Sequence, residues 1–113
     1  MDIRSILKII AAVATAATGL LGFVKPTATF SFIGLTATGP RGISEIRAIF
    51  GGLFIALGIV PLFLGTNAYR MLGIGYLAIA LARSISIIID RSYAQSNWIS
   101  LAIEIVLGVI LVV

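Results

Sequence analysis

Hydrophobic positions along the chain fall into four long runs, separated by short clusters of polar, Gly and Pro residues. The runs cover roughly residues 6–24, 46–64, 71–89 and 97–113. Each approaches the ~20 residues that carry an α-helix across a hydrocarbon core, the last at the short end. None shows the strict two-residue alternation of a half-buried strand. Backbone inside lipid must satisfy its own hydrogen bonds, so the runs read as helices. Two connections are tight, "GTNAY" from Gly65 and "RSYAQS" from Arg91. They make runs two and three, and runs three and four, antiparallel neighbours. The connection from Lys25 to Ser44 is longer; it opens with Pro26 and closes with the breakers Gly39, Pro40 and Gly42. Phe30, Phe32, Ile33 and Leu35 make it too apolar for a solvated loop, and a short segment in the membrane interface is expected. The expected fold is all-α. It is a single domain over residues 1–113, an integral membrane antiparallel four-helix bundle with that interfacial segment between spans one and two.

Small residues recur inside the runs: Ala11, Ala12, Ala14, Ala16, Gly19 and Gly22 in the first, Gly51, Gly52 and Gly58 in the second, Gly73, Gly75 and Ala78 in the third. Lipid tails give helices no hydrophobic reason to associate, so close backbone approach at small residues has to do it. Pro61 should kink the second helix near its end, and Ser44 is the expected N-cap at its start. Arg4 and Lys8 ahead of an apolar run with Ala14 and Ala16 imitate a secretory leader. The run continues into Leu20, Leu21 and Phe23, so an uncleaved first span is expected.

Composition agrees with the pattern. Of the 113 residues, 60% are hydrophobic and 11% charged, and the mean hydropathy is +1.20. Roughly a quarter of a soluble domain is charged, so this chain could not cover a water-facing surface. Cys and His are absent, which removes structural zinc, disulfides, imidazole-ligated haem and the Ser-His and Cys-His nucleophiles. No enzyme activity and no cofactor are expected. The formal net charge is +4, yet the basic residues stand singly at the ends of apolar runs, as membrane flanks do. Nothing resembles a nucleic-acid-binding stripe. "GIGYLA" from Gly73 imitates a glycine-rich nucleotide loop but lies inside a span and carries no such meaning. Tyr93 and Trp98, near the start of the fourth run, read as interfacial anchors.

The charges inside the runs are the informative ones. Arg83 lies seven residues before Asp90 at the end of run three, and Glu104 seven residues after Asn97 at the start of run four. At 1.5 Å per residue both sit about 10 Å inward, at matched depth on adjacent helices, where they can pair. Glu45 and Arg47 enter on the same side. A charge at a helix centre in the bilayer costs ~2.5–3.5 kcal/mol, so five ionisable groups in one half are not accidental. Tyr76, Arg83, Ser86 and Asp90 share one broad face of run three; Asn97, Ser100 and Glu104 share one face of run four. With Glu45 and Arg47 they form a candidate polar pocket. In one reading Arg83 with Glu104, and Arg47 with whichever acid is free, are structural pairs that fix helix register. In the other the pocket binds an anion or a quinone headgroup, or relays protons. An Arg partner holds a carboxylate ionised, which is poor for a relay, and the structural reading is preferred.

Three stretches, "GISEIRAIFGGLFIALGIVPL", "MLGIGYLAIALARSISIIIDRS" and "NWISLAIEIVLG", carry a resemblance. With Glu45-Ile46-Arg47, Gly51-Gly52, Ala82-Arg83, Asp90-Arg91 and Glu104, nearly the whole chain resembles small four-helix bacterial membrane proteins near the DoxX-like superfamily, in a branch of undefined function. Some DoxX-like proteins act as membrane subunits beside quinone-linked oxidoreductases. The resemblance therefore implies a bacterial cytoplasmic-membrane protein that is an accessory or anchor subunit, or one that self-associates, rather than a catalyst. The expected partners are the lipid bilayer and a larger membrane complex or further copies of the chain. The alternative is a small transporter or binding protein using Arg47, Arg83 and Glu104. Arg4, Lys8 and Arg70 on one face balance Lys25, Arg41 and Arg91 on the other, and Arg4 and Lys8 directly before the first helix favour cytoplasmic termini.

Overall fold

The structure is a computed structural model and describes residues 2–113. Four helices in it are long and apolar enough to cross a membrane: α1 (Ile3–Val24), α2 (Pro40–Leu64), α3 (Thr66–Asp90) and α4 (Gln95–Val112). Every start lies ahead of the apolar run that announces it, because polar residues build the first turns. At α1 the Ser5 N–H donates to Asp2 Oδ1 at 2.9 Å, and the Ile6 N–H to the Asp2 carbonyl at 3.1 Å. Asp2 is thus the N-cap. The backbone N–H of Ser5 holds the Asp2 carboxyl below its ordinary value of 3.8, helped by the Ser5 hydroxyl and by Arg4 and Lys8. A depressed carboxylate pKa stabilises the fold above the unfolded value, and the effect is lost as pH falls through the folded one. The protection of the Ser5 and Ile6 amides, taken as intrinsic over observed exchange rate, is therefore expected to fall on acidification below about pH 4, and Asp2→Ala to abolish that pH step. Protection that is flat with pH in the wild type would remove the cap.

After Val24 the chain meets Pro26, which cannot continue α1. Pro26–Thr29 forms a 3₁₀ turn, tied by the buried Thr29 hydroxyl donating to the Pro26 carbonyl at 2.6 Å. Phe30–Ile33 adds one α-turn, ended by Gly34 at φ +70° with its N–H on the Phe30 carbonyl. Side chains are described here for Phe30, Ile33 and Leu35; that of Phe32 lies outside the described residues.

The start of α2 differs from the expectation. Gly39 is the N-cap and Pro40 takes the first helical position, so Ser44 is interior. Proline suits that position because its φ is preset and its missing N–H would have no helical partner. A cluster that reads as loop punctuation therefore opens a helix. Inside α2 the backbone of Ile46–Leu53 is π-helical before returning to α geometry at Phe54. Gly51 and Gly52 lie in that stretch, where their weak α preference lowers the cost of leaving α geometry. The helix then runs through the buried Pro61 to Leu64.

The described residues group into two compact units, one from Ala12 to Phe63 and one containing the stretch from Leu64 to Val113. In the first, α1 and α2 run antiparallel with their backbones nearly touching at glycines. A Cβ on Gly19 would come within 2.5 Å of the Ile55 nitrogen, and one on Gly58 within 2.3 Å of the Ala16 nitrogen. In the second, α3 and α4 form an antiparallel hairpin. Gly73 faces Leu111 and Val112, and Gly108 faces Leu77. Two left-handed residues mark the ends of α3: Gly65 (φ +83°) before it and Arg91 (φ +52°) after it. Gly65 alone makes the break from α2, so the rest of "GTNAY" is already helical. A non-glycine residue at this φ costs about 1–2 kcal/mol, which short reversal of the chain at Arg91 imposes. Around these interfaces large apolar side chains remain exposed, Phe63 at 81% and Ile88 at 75% among them.

Candidate functional site

The hairpin of α3 and α4 brings together three of the candidate residues. The Arg83 Nε donates to Glu104 Oε1 at 2.8 Å, and its Nη2 to Glu104 Oε2 at 2.7 Å. Its Nη1 donates to Asn97 Oδ1 at 2.6 Å. The two parallel bonds to one carboxylate are the bidentate geometry that a planar guanidinium favours. Asn97 is fixed in turn, its Nδ2 donating to the Ser92 carbonyl at 3.0 Å. A single guanidinium therefore ties α3 to the first three turns of α4 and, through Asn97, to the turn between them. The matched seven-residue depths of Arg83 and Glu104 foretell this pair. Glu104 is buried, with 11% of its side chain accessible; Arg83 keeps 30%.

Ser86 and Asp90, also candidates on α3, pair with each other. The Ser86 hydroxyl donates to Asp90 Oδ2 at 2.7 Å, an exposed bond one helical turn long. Tyr76 and Ser100 are half-buried, seven residues before Arg83 and four before Glu104. Ser84, not among the candidates, turns its hydroxyl to the Ala80 carbonyl at 2.8 Å.

Glu45 and Arg47 stand in the unit of α1 and α2. Glu45 is salt-bridged to Arg41, four residues earlier, and both are exposed. The expectation that Arg47 takes a carboxylate is corrected here. Its Nη1 donates to the Phe23 carbonyl at 2.5 Å, and its guanidinium carbon lies 6.0 Å from the centre of the Phe23 ring. Among the described residues, Arg47 has no ion pair. The reason is angular: residues two apart on a helix face nearly opposite ways, while those four apart share a face, so Glu45 turns to Arg41. Arg47 instead caps the C-terminal end of α1, where free carbonyls attract a cation. Phe23 and Arg41 were thus missing from the sequence-derived set. Arg41 would have been found from its four-residue spacing to Glu45 had the helix been started at Pro40.

Removing the Arg47 cap should cost stability modestly because the residue is exposed. Arg47→Met is expected to destabilise by about 1 kcal/mol, and Arg47→Lys by less, in thermal unfolding in detergent. Equal losses from both would mean that the contact to Phe23 contributes through packing alone.

A recess of about 270 Å³ lies between residues 35–37 and the start of α2, lined there by Gly42, Glu45, Ile46, Ile49 and Phe50. Glu45 is the only one of the nine candidate residues on its wall. Among the described residues, no three carboxylates gather into a set able to hold a metal.

No curated protein and no solved structure matches the chain. The comparison with families supports an uncharacterised one, and nothing in it ties the chain to the DoxX-like superfamily. Four membrane-length helices, two of them locked together by a part-buried Arg–Glu bridge, run through the stretch that does match: residues 3–113 fit the domain of unknown function DUF4345, and the chain belongs to that family.

Proposed function

We propose that this is a non-catalytic integral membrane protein, an accessory or anchor subunit of a larger membrane assembly or a self-associating one. In this reading the four helices form an antiparallel bundle in a bacterial cytoplasmic membrane, with cytoplasmic termini and the segment 26–33 lying in the interface. Placement near the DoxX-like superfamily belongs to the same proposal, resting on the charged and glycine positions named above. One observation carries it. Arg83 spends three N–H groups on Glu104 and Asn97, and among the described residues no buried side-chain polar atom lacks a partner. A carboxylate satisfied this completely has the character of a clamp, and the exposed apolar surface supplies area for lipid and for partner helices.

Mass spectrometry of the native protein, extracted gently from its own membrane, tests the reading. Stoichiometric co-purification with other subunits, or with copies of itself, is the expected result. Isolation as a monomer would reject it. One feature favours a second reading, a binder or transporter of an anion, a quinone or protons: Arg83 keeps 30% of its side chain accessible. Under that reading Glu104→Gln abolishes a pH-dependent flux in proteoliposomes; a flux unaffected by the change eliminates the relay.

A further inference from the structure

The charges between Ala12 and Phe63 do not cancel. That stretch holds Lys25, Arg41 and Arg47 against one acid, Glu45. Glu45 is engaged by Arg41, so among the described residues Lys25 and Arg47 have no carboxylate. Both are exposed, and both stand at the same helix end. Lys25 is the first residue past α1, its N–H on the Leu21 carbonyl at 2.9 Å. Arg47 reaches that end from α2 and is held there by the Phe23 carbonyl and ring. The C-terminus of α1 offsets only about half a charge, leaving a positive excess of more than one. A guanidinium has five N–H donors, and Phe23 takes one of Arg47's.

An apolar strip runs from this basic pair along α1. Leu20, Phe23 and Val24 share a helix face at spacings of three and four, and are 55%, 49% and 57% exposed. Two cations at the end of a membrane-length helix, above an exposed apolar strip, match a phosphate joined to an acyl chain. The geometry points to an anionic-phospholipid site at Lys25 and Arg47, with the lipid phosphate between the two side chains and an acyl chain along Leu20, Phe23 and Val24. The site rests on the membrane reading alone and is indifferent to whether the protein is a subunit or a transporter.

The test uses the whole chain in nanodiscs of equal phosphatidylglycerol and phosphatidylcholine with identical acyl chains, released into mass spectrometry to read the lipid retained. The wild type should retain phosphatidylglycerol roughly tenfold over phosphatidylcholine, as expected for two cations at a membrane surface. Lys25→Gln with Arg47→Gln should bring the ratio close to unity, and Lys25→Gln alone, which leaves the Arg47 bond to Phe23 intact, should lower it several-fold. The isocharge control Lys8→Gln with Arg70→Gln should leave it unchanged. An unaltered ratio in the Lys25 and Arg47 variants overturns the site, and so does an equal fall in the control, which would make the preference one of net charge. Displacement of the lipid by millimolar inorganic phosphate would overturn it in favour of a free-phosphate site. Failure of the protein to enter nanodiscs at all would instead strike the membrane reading.

Discussion

Glu104→Leu is expected to lower stability by about 3 kcal/mol, and adding Arg83→Met to the same chain to restore most of that loss. The first change removes a buried carboxylate and leaves a guanidinium about 10 Å inside a membrane-length helix with its two strongest bonds gone. Losing one partner of a buried ion pair costs ~3–5 kcal/mol, and an unpaired charge at a helix centre in lipid ~2.5–3.5 kcal/mol. Because Arg83 is 30% accessible and long enough to reach toward the interface, the lower part of those ranges applies. The double change replaces two charges by two apolar side chains of similar reach, so nothing charged is stranded. Asn97 loses its Arg83 donor in that variant but keeps its bond to Ser92, and the remaining deficit should be near 1 kcal/mol. Unfolding in mixed detergent micelles gives the four corners of the cycle, and a coupling of at least ~1 kcal/mol is expected. Additive single losses would show that the pair, although formed, fixes nothing. Glu104→Gln separates charge from hydrogen bonding: if it behaves like the wild type, ionisation of Glu104 is not what holds the hairpin.

Much of this was legible because depth along a helix can be counted. Seven residues inward from each side of a short turn puts Arg83 and Glu104 level, and no further information is needed to pair them. Four helical runs were legible for the same reason, since length and hydropathy measure a helix against a bilayer. Their starts were not. A reading that begins at the first apolar residue passes over Asp2 as a cap and over Pro40 as a first helical residue, since one acts through a single carboxylate oxygen ahead of the apolar run and the other through its preset backbone angle. The error at Pro40 then propagates: with Ser44 outside the helix, Arg41 and Glu45 share no face, Glu45 seems free, and Arg47 is assigned an acid. Its real partner is a backbone carbonyl at Phe23, a group every residue carries and no pattern marks. The π-helical stretch over Ile46–Leu53 has no periodicity of its own in so uniformly apolar a segment. Gly51 and Gly52 announce close packing there, and Gly51 does pack on Phe23, but they do not announce the change in winding.

Close packing at glycine leads to the second large effect. Gly58→Ala is expected to destabilise by about 3 kcal/mol, while the same substitution at Gly75 is neutral or stabilises by up to ~1 kcal/mol. Both glycines lie inside long helices, so the backbone preference for alanine is the same at each and favours the variant. What differs is the space. A Cβ at position 58 would meet the Ala16 nitrogen at 2.3 Å, the Ala12 carbonyl oxygen at 2.5 Å and the Ala16 Cβ at 2.7 Å. Two of these are backbone atoms of α1, which no rotamer change can move, so α1 and α2 must separate locally. The separation lifts other contacts too, because the same two helices also meet closely at Gly19 and Gly51. That is why the expected loss sits at the top of the ~1–3 kcal/mol usual for overpacking. At Gly75 a Cβ meets nothing within 4 Å. Thermal midpoints of the two variants, measured side by side in one detergent, decide the matter. Similar midpoints would mean that α1 and α2 do not approach at Gly58 as closely as described, and the small residues of the first two helices would lose their packing role. A large fall at Gly75 would carry a different message: that a second helix, from another copy or another protein, covers that open face in the assembled state.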